Sequence, residues 1–108
     1  MGLPKLSHLQ FLVLGTLLEG ELVGRDIRKR LTDFGVRKSG PAFYQLMARL
    51  EDSNFVRGRY EQEIVKGQII RERCYKIRAQ GTSAWNACRD FQANVIQELG
   101  GATGVDNA

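Results

Sequence analysis

The hydrophobic pattern changes its period midway along the chain, and this change limits the folds that the chain can adopt. Between residues 7 and 53 apolar side chains recur every three or four positions, which predicts helices. Between residues 55 and 78 they alternate with polar ones on either side of Lys66-Gly67, a dipeptide that suits a two-residue hairpin turn. Helical periodicity returns after Gly81. The pattern therefore predicts a mainly α fold with one β-hairpin.

The first predicted helix spans about residues 7–19. Ser7 is followed three positions later by Gln10, which is a capping-box pattern, and Gly20 marks the end of the helix. The residues between them are apolar on most sides, and a helix of that kind must be buried. We expect this helix to be the centre of the core, with residues 1–6 as a short arm.

The second predicted helix spans about residues 23–34 and is amphipathic. Gly35 stops it. Its predicted core stripe follows helical spacing and consists of Val23, Ile27, Leu31 and Phe34. Its opposite side carries Arg25, Arg28, Lys29 and Arg30.

The third predicted helix spans about residues 40–53. Ser39 stands at the capping position and Pro41 in the first turn, both of which are helix start signals. The inward-facing residues are Phe43, Leu46, Met47 and Leu50. That spacing exposes Ala42, Gln45, Ala48, Arg49, Asp52 and part of Tyr44. Because only a short turn around Gly35 separates this helix from the second, the pair is typical of a helix-turn-helix.

The predicted hairpin has strands at about residues 55–64 and 69–78. Pairing Val65 with Gln68 places Val56 opposite Ile77 and Gly58 opposite Tyr75, which gathers apolar partners on one face. The other face carries Arg57, Arg59, Glu61, Glu72 and Lys76. A long basic hairpin after three helices is a wing, so the predicted fold is a winged helix-turn-helix.

The last predicted helix, about residues 82–99, has an apolar stripe that is too long for one thin domain to cover. The stripe consists of Trp85, Cys88, Phe91 or Gln92, Val95, Ile96 and Leu99. Self-association is the simplest way to bury it, and folding back onto its own domain is the alternative. We thus divide the chain into a winged helix-turn-helix domain (1–81), a dimerisation helix (82–99) and a flexible tail (100–108).

Positive charge is concentrated in the middle of the chain. The net charge is +4; residues 22–54 carry seven bases and four acids, and residues 55–78 carry seven bases and three acids. A localised basic surface on a small domain is typical of proteins that bind a polyanion, and an ordinary solvated surface is the alternative.

The sequence also argues against several classes of protein. No apolar run approaches the ~18 residues of a membrane span, and the N-terminus lacks the pattern of a signal peptide. Cys74 and Cys88 lack metal-ligand spacing, so we expect free thiols and a cytoplasmic protein. His8 is the single histidine, and neither a nucleophile–base pair nor a phosphate loop is recognisable. We predict no enzymatic activity, no cofactor and no metal site.

Three stretches resemble the PadR-like transcriptional regulators. The opening helix LSHLQFLVLGTLLEGELVG is similar to the start of that family, and SGPAFYQLMARLEDSNFV to its third helix. RERCYKIRAQG resembles its second wing strand. The matching positions are Ser39, Tyr44, Met47, Arg49, Leu50, Arg73, Tyr75, Ile77 and Gly81. The chain departs from the family pattern at Arg25, at Asn54 (which replaces a glycine) and at Arg78-Ala79.

The resemblance implies a homodimeric transcriptional regulator, a repressor, that binds an inverted-repeat operator in double-stranded DNA. The residues that we predict to bind DNA are Arg37, Lys38, Ser39, Tyr44, Gln45, Arg49, Arg25, Arg28, Arg57, Arg59 and Lys66. Ser39 is alternatively only a helix cap, and the Tyr44 ring alternatively packs against the first helix. The predicted dimer interface consists of Leu9, Leu12, Trp85, Cys88, Phe91, Val95, Ile96 and Leu99.

Two further hypotheses follow from these residues. Aromatic side chains near the dimer seam bind flat hydrophobic effectors in some relatives, which makes Trp85 a candidate for an effector pocket that takes a small aromatic molecule. The other hypothesis is a winged-helix module that binds proteins and never DNA. Such a module has no need of Arg37, Lys38, Gln45 and Arg49 beside a basic wing.

Overall fold

The computed structural model describes residues 5–100 and confirms the predicted winged helix. In chain order the elements are α1 (His8–Thr16), β1 (Leu22–Val23), α2 (Gly24–Asp33), α3 (Gly40–Asp52), β2 (Val56–Val65), β3 (Gln68–Ile77) and α4 (Ala79–Leu99). Apart from residues 5, 6 and 100, the predicted arm and tail lie outside the described residues. No helix within residues 5–100 has the length and apolar character that crossing a lipid bilayer requires.

The caps of α1 and α3 are formed by the predicted serines. The Ser7 hydroxyl accepts a hydrogen bond from the Gln10 amide at 3.1 Å, while the Ser7 amide donates to the Gln10 side chain at 3.0 Å. The Ser39 hydroxyl accepts from the Ala42 amide at 3.3 Å. Both helices therefore begin where their capping patterns predict.

The core lies between α1, α2, α3 and the base of the hairpin. Its fully buried side chains include Val13, Leu14, Leu17, Ile27, Leu31, Phe43, Met47, Leu50, Val56 and Tyr75. Phe34 was predicted to belong to this core, and that prediction is wrong, because its side chain is 64% exposed. Helix α2 ends at Asp33, before the stripe reaches Phe34. The chain then turns back so that the Val36 amide donates to the Leu31 carbonyl at 2.9 Å. Val36 packs against the core in place of Phe34.

The two-stranded wing is confirmed as the hairpin of β2 and β3, and an unpredicted short strand, β1, adds to it, so that the sheet has three strands in the order β1-β3-β2. The predicted hairpin register is confirmed, with Val56 opposite Ile77 and Val65 opposite Gln68. Lys66 and Gly67 both have positive φ, 52° and 80°, as a type I′ turn requires. The added strand β1 pairs its two residues with Tyr75 and Cys74. Because β1 takes Val23, helix α2 begins at Gly24.

The last helix begins at Ala79, three residues before the predicted start. Gly81 was interpreted as the residue that opens this helix, but it lies inside the first turn and is buried. A Cβ at Gly81 would collide with the Phe55 carbonyl oxygen, which also accepts a hydrogen bond from the Arg78 amide at 2.9 Å. The glycine therefore serves the close packing of α4 against the start of β2.

Gly81→Ala should destabilise the protein by about 1–3 kcal/mol, because the added methyl group must push α4 away from the Phe55 carbonyl. The matched control is Gly100→Ala, at the other end of the same helix. There a Cβ meets Ile96 at 3.5 Å, which is ordinary van der Waals contact. Urea denaturation of both variants measures the difference. Equal midpoints would show that the close contact at Gly81 costs nothing.

Candidate nucleic-acid interface

Helix α3 presents a polar face opposite to its core face. Phe43, Met47 and Leu50 are buried, whereas Gln45 and Arg49 are exposed on the other side of the helix. Neither Gln45 nor Arg49 has an ion pair or a side-chain hydrogen bond within residues 5–100. Both side chains are thus available to a partner, as the sequence predicts.

A basic cleft lies beside the start of α3. It has a volume of about 310 Å³ and lies between α2 and the turn that leads into α3. Among residues 5–100 no acidic side chain lines it, and the cations along it are Arg25, Arg28, Lys29, Arg37 and Lys38. The positive N-terminal end of α3, capped by Ser39, adjoins the turn that carries Arg37 and Lys38. The cleft therefore suits an anionic group the size of a phosphate.

Arg28 has a local structural contact that sequence reasoning missed. Its guanidinium donates to the Lys38 carbonyl at 2.9 Å and lies 5.9 Å from the centre of the Phe43 ring. Arg28 is half-buried, and these contacts fix the chain just before α3. The residue orients the start of α3 in addition to lining the cleft.

Two of the predicted DNA-contacting arginines are paired with carboxylates. Arg25 at the start of α2 pairs with Glu72 of β3. Arg59 of β2 donates to Glu21, with its Nε 3.0 Å from one carboxylate oxygen. The hydrogen bond from Arg59 is the main cause that lowers the pKa of Glu21. These pairs connect the wing to the segment around β1. The positive charges of Arg25 and Arg59 are partly neutralised within the protein, so less of that charge is available to a partner.

Arg57 and Lys66 remain exposed on the wing, with Lys66 at its tip. Tyr44 is 43% exposed, and its ring meets Phe43 edge-on at 5.1 Å. A Cβ at Gly24 would come within 3.0 Å of the Tyr44 hydroxyl. The Tyr44 ring thus packs against the start of α2, which corrects the alternative that placed it on the first helix.

An ion pair between α3 and the wing was not predicted. One Nη atom of Arg73 lies 2.9 Å and 3.0 Å from the two carboxylate oxygens of Glu51. A Cβ at Gly58 would collide with that carboxylate, so only glycine leaves room for it. The Arg73 guanidinium also lies over the Tyr60 ring, 4.8 Å from its centre, and Arg71 lies 4.7 Å from the same ring. We call the Glu51–Arg73 pair with its Gly58 notch the wing clamp.

Glu51 and Arg73 of the clamp also line a groove between α3 and the wing. The groove has a volume of about 790 Å³. Its α3 side is formed by Tyr44, Ala48 and Glu51, and its wing side includes Tyr60, Ile70 and Arg71. Helix α3 and the wing therefore face a common space on one side of the molecule.

The predicted dimer residues divide into a group that packs on its own domain and a group that is exposed on α4 beyond Cys88. Cys88 is 5% exposed and Trp85 stacks on Phe11, with ring centres 5.1 Å apart and planes 1° from parallel. Leu9 and Leu12 of α1 are half-buried against the core. The residues beyond Cys88 are more exposed: Phe91 38%, Val95 38%, Ile96 67% and Leu99 72%.

Trp85 has one unusual property, since its Nε1 atom is buried and has no hydrogen-bond partner among the described residues. That nitrogen faces Gly15 of α1, where a Cβ would come within 3.2 Å of it. Arg89 lies 5.6 Å from the centre of the indole ring. The indole is therefore held against α1 and covered in part by a cation.

Comparison with known proteins gives similarity at the level of structure. No protein-family model and no curated protein sequence matches the chain. The PadR regulator of Bacillus subtilis in complex with operator DNA matches with 22% identity and a TM-score of 0.62, over 80% of this chain and 47% of that one. This chain thus spans about half the length of that protein.

Two other regulators match over nearly their whole length. A PadR-family transcription regulator from Clostridium difficile R20291 is 18% identical with a TM-score of 0.70, over 86% of this chain and 98% of that one. A transcriptional regulator from Clostridium thermocellum is 23% identical with a TM-score of 0.65, over 85% of this chain and 89% of that one. The chain therefore has the fold of PadR-family regulators.

Cys74 lies in β3 on the face that carries Glu61, and it is almost fully buried. Its thiol donates to a Glu61 oxygen at 3.0 Å. Burial, followed by the Glu61 contact, raises the pKa of the thiol from 9.0 to about 11. The folded protein therefore holds this thiol neutral at a pH where the unfolded chain ionises it.

The free energy of unfolding should fall as the pH rises from 9 to 11. The folded-state pKa of Cys74 is raised, so the stabilisation is complete below the unfolded pKa and is lost as the pH approaches the folded one. Urea denaturation at a series of pH values measures this slope. Cys74→Ala should show a shallower slope than the wild type over the same interval. Parallel slopes would mean that the thiol ionises alike in both states.

Proposed function

We propose that the chain is a DNA-binding transcriptional regulator of the PadR-like type, with α3 as its recognition helix. The observation that carries the proposal is the exposed face of α3, where Gln45 and Arg49 lack partners within residues 5–100 and the basic cleft adjoins the first turn. An α-helix fits the major groove, where glutamine pairs with adenine and arginine with guanine. The similarity to the Bacillus subtilis regulator in complex with operator DNA supports the same partner.

The contacts with DNA phosphates would come from the turn before α3 and from the tip of the wing. Arg37 and Lys38 lie in the turn before the helix, and Lys66 lies at the wing tip. Arg25 and Arg59 would have to exchange a carboxylate for a phosphate, so we assign them a smaller share. Ser39 caps the helix, and backbone amides beside it would face a phosphate. A regulator of this kind works in the compartment that holds the DNA.

We also propose that the chain acts as a homodimer and represses through an inverted repeat. Helix α4 has 21 residues and is about 31 Å long, yet beyond Cys88 it has no buried residue among those described. The exposed stripe from Phe91 to Leu99 supports pairing with a second copy of α4. A two-fold dimer would place its recognition helices about 34 Å apart, one turn of DNA. A flat aromatic effector would bind beside Trp85.

Arg49→Gln should weaken binding to a duplex selected from a random pool by about 1–3 kcal/mol for each half-site, because each copy of the helix loses a bidentate contact with guanine. Arg89→Gln is the matched control, since Arg89 is exposed on α4 and paired with Asp90, and it should bind like the wild type. Fluorescence anisotropy measures both. A wild type that binds no duplex at low salt would overturn the DNA proposal in favour of the protein-binding module.

Lys38→Gln should weaken binding to all duplexes alike and reduce the slope of log affinity against log salt by about 2 for the dimer, about 1 for each copy of Lys38. The reason is that a phosphate contact carries no sequence information but releases a counterion. Titrations of two unrelated duplexes at several salt concentrations measure this change. Loss of affinity for only one of the two duplexes would assign Lys38 to base recognition instead.

Ile96→Lys should convert the dimer to a monomer, because a charge would enter the predicted apolar seam. Gln97→Lys is the matched control; Gln97 is exposed on the opposite side of α4 and should leave the dimer intact. Light scattering coupled to size-exclusion chromatography gives both masses. A monomeric wild type at micromolar concentration would sink the dimer proposal.

A further inference from the structure

The tip of the wing exposes two isoleucines that face each other. Ile64 and Ile69 are direct partners in the register, and only the pair Val65–Gln68 lies between them and the turn. Their side chains are 76% and 69% exposed, so nothing within residues 5–100 covers them. Cross-strand isoleucines strengthen a hairpin, but strand propensity alone does not require them at a solvated tip.

These isoleucines share a face with the wing clamp. Side chains alternate between the two faces of a strand, so Gly58, Tyr60, Gln62 and Ile64 point to one side of β2. Their partners on β3 are Tyr75, Arg73, Arg71 and Ile69. Gly58 and Arg73 contact Glu51 of α3. This face, which we call the front face, is therefore the side of the wing that looks toward the recognition helix.

Charge is divided unequally between the two faces of the wing. Glu61 and Glu63 lie on the back face by the same alternation. Glu72 has the same parity, but its side chain lines the groove between α3 and the wing, where it pairs with Arg25. On the front face Arg73 is paired with Glu51 at the clamp, whereas Arg71 lies nearer the tip without an ion pair within residues 5–100, and Lys66 extends from the tip itself. At the tip the isoleucine pair therefore lies between Arg71 and Lys66, and an apolar pair flanked by cations complements a polyanion that has apolar surfaces between its charges.

The length of the wing matches the spacing of the grooves of DNA. Six residues separate Gly58, at the clamp, from Ile64, which is about 20 Å in a strand. Half a turn of B-DNA is about 17 Å, so a wing beside a major-groove helix reaches the neighbouring minor groove. The isoleucine pair would then meet the sugar and base edges of that groove.

On the basis of the DNA-binding function proposed above, we propose that Ile64 and Ile69 form an apolar wedge that enters the minor groove and opens a base step. Apolar side chains inserted in this way partly unstack the bases and bend the duplex toward the major groove. The wing then selects deformable sequence rather than reading base edges, and favours pyrimidine–purine steps over stiff A-tracts at the position it occupies. Lys66 holds the adjacent phosphates.

The test uses the full chain and a duplex of about 30 base pairs selected from a random pool by the wild type, with a fluorescent dye at each end. The double variant Ile64→Thr/Ile69→Thr keeps β-branched residues in both strands. It should lose the DNA bend seen as energy transfer between the dyes and bind about tenfold more weakly. Its salt slope should stay that of the wild type, because no phosphate contact is removed. Val65→Thr, at the same tip on the back face, is the matched control and should keep the bend.

A second measurement avoids any doubt about folding of the variant. The wild type is titrated with the selected duplex after a pyrimidine–purine step at the wing position is replaced by ApA, and the wedge predicts weaker binding and less bending. Wild-type bend and affinity in the double variant, together with indifference to the replaced step, would overturn the wedge while leaving the DNA-binding proposal intact. Failure of the wild type to bind any duplex would overturn both. Self-association of the wild type that disappears in the double variant, with DNA bending retained, would assign the tip to a contact between protein copies.

Discussion

The wing clamp decides where the hairpin points, and the rest of the candidate interface depends on it. Glu51 belongs to α3 and Arg73 to β3, and each side chain is 26% exposed. A partly buried pair of this kind resists separation, because either charge alone would be left poorly solvated. The Gly58 notch makes the contact sterically possible, and the Tyr60 ring supports the guanidinium from the other side. Helix and wing therefore form one surface rather than two independent parts.

Much of the fold was predictable because it is specified by local patterns. The serine caps depend on residues three positions apart, and the hairpin register on the turn and the alternation beside it. Strand β1 was missed because two residues are too few for a period to show. The start of α4 was misplaced because Gly81 is needed for close packing on Phe55, and a glycine that serves packing is indistinguishable in sequence from one that stands just before a helix.

The candidate site was predictable to a smaller extent. Helical spacing alone predicts the exposure of Gln45 and Arg49. The partners of Arg25 and Arg59 were not predictable, because they lie 47 and 38 positions away in the chain. Sequence reasoning counts charges but does not pair them, so it overstated the positive charge that the wing offers to a partner. The same limit hid the clamp, which joins residues 22 positions apart.

The alternation of a strand links the core to the far end of the wing. Val56 and Tyr75 must face inward at the base of the hairpin, because both are buried there. That requirement determines which residues share their face toward the tip, where Ile64 and Ile69 are partners, and it turns Glu61 and Glu63 to the back. A slip of one residue in the register would move every side chain to the other face. The packing of the core therefore stabilises the wing and also determines which side chains the wing presents beside the recognition helix.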